Sequence, residues 1–348
     1  MPRKKATTKK KVQNKTPKDE NTSRDGEIIL AKWQGRFGNR MHQYAYLATY
    51  AEKFNLNLIL PSEWEGDHLF KKNNHTIIKD DDLRLKVNQT SKEFDKQEFR
   101  EQAFQDYNKK SKNNLIFLNP HDASQTWKGS RFVWVADLCA YQEAIFKGMS
   151  NSFLKEVFTF SDNIKNTDVY KYAEDRQGTY DIAHLRRDDI SNPNYENNFG
   201  YSVISKKSYE KAFKKFDVDS EKVEWTTDDW SGNWGVGKPS DNKWFERRGG
   251  WTYPMGSEHM EDVVFDWFPD FLRLYFARSV FRANSSFGFW ACLLGNQKNI
   301  FSPVLTKKEI YSGTKGSGKQ IEVNFIKGNT PHWLCLKEDH CGKIKIPK

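Results

Sequence analysis

From residue 27 the chain changes from polar to patterned. The run EIILAKW predicts a strand over Ile28 to Trp33, and Met41, Tyr44, Ala45, Ala48 and Ala51 then recur at helical spacing, predicting a helix over Met41 to Phe54. A second apolar run, Leu56 to Leu60, is ended by Pro61. A strand, a crossover helix and a strand imply parallel pairing. The pattern returns further along: YDIAHL (180–185) predicts a strand, SYEKAFKKF (208–216) a helix and KVEWTTDD (222–229) a strand. Residues 260–281 read as helical with an interruption at Pro269, NSSFGFWACLLG (284–295) as a helix and KNIFSP (298–303) as a strand. Residues 62–130 are polar and irregular, and nearby only FVWVADL (132–138) reads as a strand. No internal repeat is visible.

Strands alternating with helices in two blocks predict an α/β protein with two domains facing each other across a cleft. The expected division is a basic tail over 1–26, an N-terminal domain over 27–170 and a C-terminal domain with an extension over 171–348. A length of 348 residues fits two domains, and 15% aromatic residues supply core material despite 29% charged residues.

Charge changes the picture less than its total suggests. The net charge is +10, but residues 1–18 hold eight Lys and Arg and no acid, so the remaining 330 residues carry +2. A tail of that composition predicts disorder, with nucleic acid or an anionic surface as partner only through residues 1–18, or else a solubilising role. No apolar run is long enough to span a bilayer and the N-terminus lacks the apolar segment of a signal peptide, so a cytoplasmic location is expected. Four scattered cysteines, Cys139, Cys292, Cys335 and Cys341, form no disulfide framework. His332 and His340 beside the last two fit no common zinc spacing, and GSGK at 316–319 lacks the spacing of a nucleotide cradle.

Candidate chemistry lies where predicted strands run into helices, the place where open α/β sheets bind ligands. In QGRFGNRMHQ, Gly35 and Gly38 permit a tight turn and close approach, while Arg36 and Asn39 supply donors. In HLRRDD, adjacent Arg186 and Arg187 offer guanidinium forks suited to a diphosphate; a surface network with Asp188 and Asp189 is the alternative. In RANSSFGFW, Asn284, Ser285 and Ser286 stand at a helix start, whose free N–H groups and dipole suit phosphate, although the serines would cap a helix equally well without a ligand.

Taken together and in order, these segments resemble a known family. GRFGNRMHQYA is similar to the GRLGNQMFQYA opening of the α-1,2-fucosyltransferases, HLRRDD to their HxRRxD motif and ANSSFGFWACLL to their NSSFSWWAAxL segment. EWTTDDW is similar to the family's FSDDxxW stretch, and FLRLYFARSVFRANSS to the helix and strand before the last motif. The resemblance runs from Lys32 to Pro303, weakly over 62–175, and the opening also resembles protein O-fucosyltransferases.

The resemblance implies a GT-B fold of two Rossmann-like domains. The implied activity is metal-independent, inverting transfer of L-fucose from GDP-fucose to a glycan hydroxyl, through an α-1,2 linkage, with no cofactor beyond the donor. It implies that Arg187 contacts the β-phosphate and stabilises departing GDP, with Arg186 in support. His184 and Asp189 match motif positions, and Ser285, Ser286 and Phe287 line the phosphate and fucose side, near Asp228. Asp228 and Asp229 are read as a strand-end pair rather than metal ligands, since the arginines already bring positive charge. Asn39 matches an asparagine that cannot take a proton, leaving Asp189 and His42 as candidate bases. Two departures, Arg40 for Gln and His42 for Phe, bear on the acceptor, and Asp188 for Gly bears on the donor. Another GDP-sugar, or an inactive glycan-binding protein, are the alternatives.

Overall fold

The computed structural model describes residues 24, 26–30, 33, 35–62, 64–71, 75–78, 115–117, 132–135, 151–187, 202–228, 252–254, 262–264, 267–305, 320–329 and 331. Strand β1 (Gly26–Leu30) leads through a turn into α1 (Phe37–Lys53), which returns to β2 (Leu56–Pro61). The helix starts four residues before the expected Met41. The cause is Gly35, whose φ of +66° lies in the left-handed region that favours glycine, so the chain reverses before Arg36 takes the N-cap position. The short helix α2 (Gly66–Leu69) and strands β3 (His75–Ile78), β4 (Leu115–Phe117) and β5 (Phe132–Val135) follow. The five strands form one sheet in the order β3-β2-β1-β5-β4, every pair parallel.

Three helices absent from the sequence reading come next: α3 (Asn151–Val157), α4 (Asp162–Lys165) and α5 (Asp168–Asp175). Ser161 caps α4 through the Ile164 N–H (3.3 Å) and Thr167 caps α5 through the Tyr170 N–H (3.4 Å), which were the legible start signals. The expected domain boundary at 170 and 171 falls inside α5.

The second sheet is built from β6 (Asp181–Leu185), β8 (Glu224–Thr227), β11 (Ser279–Phe281), β12 (Asn299–Val304) and β14 (Asn324–Gly328). Between these lie β7 (Val203–Ile204), α6 (Lys206–Lys215), β9 (Thr252–Pro254), β10 (Asp262–Val264), α7 (Phe268–Phe276), α8 (Ser286–Leu294) and β13 (Gln320–Ile321). The order is β14-β12-β11-β6-β8, parallel except for β12 with β14.

The expected helix over 260–281 is corrected at both ends: Asp262–Val264 pairs antiparallel with β9, and Ser279–Phe281 is a central strand. Pro269 opens α7 instead of interrupting it, because a proline in the first helical turn gives up no needed N–H. Pro303 sits in β12 beyond the last residue paired with β11, where its missing N–H costs no bond on that side.

Parallel strands buried on both faces send neighbouring residues to opposite cores. Ile182, Val280 and Ile300 are in register and enter one hydrophobic cluster; Ala183, Phe281 and Phe301, one position on, enter another. The second cluster lies under α6 through Tyr209 and Phe213. The first runs through α7 and α8 into α1 and onto Ile28 and Leu58 of the other sheet. Helix α1 therefore packs on two sides, which explains why Met41, His42, Gln43, Tyr44, Ala45, Tyr46 and Leu47 are all buried.

Candidate active site

In an open α/β sheet the strand with successive connections leaving in opposite directions marks a crevice at its carboxyl end. Strand β6 has that position, because the chain proceeds from it to β8 on one side while β11 lies on the other. Arg186 and Arg187 follow β6 directly, and Arg282 to Ser285 carry the chain from β11 into α8. Strand β1 has the same position in the first sheet, with β2 on one side and β5 on the other, and it leads to Gly35 and the start of α1.

The N-termini of α1 and α8 meet. A Cβ on Gly38 would lie 2.5 Å from the Phe287 backbone nitrogen and 2.7 Å from Ser286 Oγ, so only glycine admits this approach. Ser286 Oγ donates to Asn39 Oδ1 at 2.7 Å across the junction. Ser285 caps α8 by accepting from the Phe287 N–H at 3.3 Å. The two serines divide the labour, one ending a helix and one joining two.

The adjacent arginines also have different jobs. Arg187 is 1% exposed, and its guanidinium donates to the carbonyls of Arg186 and Ile204, each at 2.8 Å. Those bonds tie the end of β6 to β7. Arg186 keeps 23% of its side chain exposed, and its Nε lies 3.9 Å from Asp228 Oδ2. The other carboxylate oxygen, Asp228 Oδ1, accepts from the Arg187 backbone N–H at 2.6 Å. Geometry thus puts the accessible fork on Arg186, where the resemblance implied Arg187.

His184 is buried against the first turn of α8: a Cβ on Gly288 would come within 2.6 Å of its Nδ1, and the Phe287 ring centroid is 5.9 Å away. Burial first, then the charges of Arg186, Arg282 and Arg187, hold its imidazole down at about 3, so it is neutral at physiological pH. Three cations acting on one buried ring define a positive field at the crevice. Arg282 escaped the sequence reading. Its signal was available, since it follows the apolar run of β11 as Arg186 follows β6; it is fully buried, donates from Nε to Ser302 Oγ at 3.3 Å, and burial lowers it to about 10.

The remaining candidates spread out. Asn284 Nδ2 donates to the Ser202 carbonyl at 3.2 Å, and Phe287 packs edge-on against Phe271 at 5.3 Å. Arg36 is exposed at the N-cap of α1. His42 lies in the α1–α8 interface, fully buried against Trp290 (5.0 Å) and Phe289 (5.6 Å), and burial lowers it to about 3. A ring so placed is a poor proton acceptor at neutral pH. Asp188, Asp189, Asp229, Cys139, Cys335, Cys341, His332, His340, the GSGK segment and residues 1–23 of the basic tail lie outside the described residues; the end of the expected tail is corrected, because Gly26 opens β1 and Arg24 Nη1 donates to the Leu56 carbonyl at 2.9 Å. Among the described residues no group of three or more His, Cys, Asp or Glu is placed to hold a metal ion, and no helix is long and apolar enough to cross a membrane.

No family model and no curated protein matches the chain. Among solved structures, fucosyltransferase NodZ from Bradyrhizobium is 14% identical with a TM-score of 0.43, over 79% of this chain and 94% of its own. Arabidopsis thaliana FUT1 in complex with GDP is 15% identical at a TM-score of 0.46, over 80% and 71%. The Escherichia coli ADP-heptose LPS heptosyltransferase II is 8% identical at 0.35, over 88% and 92%. Likeness at these scores decides neither fold nor activity for this chain.

Proposed function

We propose that the chain is a glycosyltransferase of GT-B architecture that moves L-fucose from GDP-fucose to a hydroxyl of a glycan acceptor, with inversion and without a metal, forming an α-1,2 linkage. The observation that supports it is the junction itself: the HLRR strand end, the start of α8 and the start of α1 converge at two switch points, each built from a segment with a motif resemblance. A nucleoside diphosphate is the ligand that such a cationic, helix-start site suits.

In the transfer, the acceptor oxygen forms a bond to the sugar's anomeric carbon as the bond from that carbon to the β-phosphate oxygen breaks. GDP leaves with the electron pair. Arg186 and the N-terminus of α8 neutralise the charge that develops on it, which is the step where preorganised donors contribute several kcal/mol. Arg187 holds the strand end that carries Arg186, and neutral His184 fills the space beneath α8 without adding charge. The acceptor proton goes to a base that neither His42 nor Asn39 supplies well; Asp189 is the candidate in the motif.

Incubating the full chain with GDP-fucose and a glycan acceptor, with excess EDTA, tests the reading. Fucosylated product and free GDP in equal amounts are expected. Binding of GDP-fucose without turnover would make the chain an inactive glycan-binding relative. Turnover of GDP-mannose alone would change the donor, and strict dependence on Mg²⁺ or Mn²⁺ would make Asp228 and Asp229 metal ligands.

A further inference from the structure

A cavity of about 240 Å³ lies at the other end of α8, between Leu294 and the helices α3 to α5 and α7. Its lining residues include two lysines, Lys155 and Lys165, two tyrosines, Tyr170 and Tyr275, and Asn296. Phe158 and Phe160 form an apolar wall, with the Phe160 ring edge-on to both tyrosines at 5.6 and 5.5 Å. No carboxylate is among the described lining residues; Glu174 stands behind the two tyrosines and acts on both. Burial raises both phenols above their ordinary range, helped at Tyr170 by Tyr275 and at both by Glu174, so each stays protonated and able to donate. At the same place Gln297 Nε2 donates to the carbonyls of Leu274 (2.7 Å), Tyr275 (2.9 Å) and Ala291 (3.2 Å), engaging the helix-end acceptors of α7 and α8.

We propose that this cavity is a secondary carbohydrate site for one acidic sugar residue, bearing a carboxylate. The lysines and phenols can donate to the carboxylate, the phenylalanine edges border the apolar side of the ring, and Asn296 can pair with a ring hydroxyl. The volume falls below the roughly 300 Å³ lower end of typical ligand pockets, so it suits a single ring. Leu294 lies about 12 Å along α8 from Ser286, by helical rise, a separation that an oligosaccharide spans. The binding stands on the cavity alone; its role as an anchor for the remote end of an acceptor rests on the glycosyltransferase reading.

The test uses the full chain without donor. Glucuronate, glucose and inorganic phosphate are titrated separately by calorimetry or by chemical-shift perturbation. Glucuronate is expected to bind, at least tenfold more tightly than glucose or phosphate, and to weaken as salt rises from about 0.05 to 0.5 M. Lys155→Met with Lys165→Met, both on partly or fully exposed positions, should weaken it tenfold or more with melting unchanged, and Tyr275→Phe should weaken it less. Equal binding of glucose would overturn the acidic specificity, and equal binding of phosphate would reduce the cavity to a bare anion site. Indifference to the lysine pair or to salt would remove the site altogether. Loss of fucose transfer elsewhere leaves each of these outcomes unchanged, so the two readings fail separately.

Discussion

The paired arginines differ in their surroundings: Arg187 is bonded to two backbone carbonyls, while Arg186 keeps part of its side chain exposed. Arg186→Lys keeps the charge but loses the fork, and is expected to lower kcat/KM by about 10²-fold, equivalent to about 2.7 kcal/mol of transition-state stabilisation, with unchanged melting. Arg187→Met instead strips donors from two carbonyls, those of Arg186 and Ile204, at a cost of roughly 1–3 kcal/mol for each left unsatisfied. Its expected signature is a lower urea midpoint, with activity falling in step with folded protein. Should Arg187→Lys fold normally and lose 10²-fold in kcat/KM while Arg186→Lys does not, the roles revert to those of the motif resemblance. At this scale the candidate pair is visible in the letters, as two arginines after an apolar strand. Which of them faces solvent depends on β7, whose Ile204 carbonyl lies 17 positions further on.

At the scale of elements, the contact between α1 and α8 is the joint of the molecule. Gly38→Ala places a methyl group on the backbone of Phe287, which cannot give way as a side-chain tip can, so the helices must part. The variant is expected to lose about 1–3 kcal/mol in urea unfolding and to lose donor affinity, because the two helix starts no longer share one crevice. Ser286→Ala removes only the bond to Asn39 and should cost about 1 kcal/mol, as should Ser285→Ala through the lost cap of α8. Equal stability of Gly38→Ala and wild type would show that the joint has room for a methyl group and is not a tight contact. Element types were legible where periodicity was strong, as in α1, α6 and α8. They failed over 260–281, where Val263, Val264, Val280 and Phe281 belong to strands that single-sequence periodicity runs together with the helix between them.

For the whole molecule, the buried histidines tie stability to acidity. His42 and His184 are both held at about 3 by burial, against an ordinary value of 6.5. Below that value the unfolded chain takes up protons that the folded chain refuses. Stability is therefore complete above pH 6.5 and falls as pH drops toward 3, by roughly 1.4 kcal/mol per pH unit for each histidine. Urea midpoints at pH 7.5, 6 and 5 measure it, and His42→Phe, restoring the motif residue, should halve the slope. A flat profile would place both rings in contact with water. Removing residues 1–18, which carry +8, is expected to leave transfer unaffected, checked by assaying the shortened chain. The sequence by itself determined the α/β class, the parallel β1-α1-β2 unit and the three segments that hold the candidate site, because hydrophobic period and strand-end chemistry are local properties. Only the tertiary structure decided that α1 is buried on both sides, that Arg187 bonds two backbone carbonyls, that Arg282 is buried near His184 and that a cavity opens at the far end of α8. Each of these depends on which distant segments meet, and that is set by packing between elements and not by the pattern within any one of them.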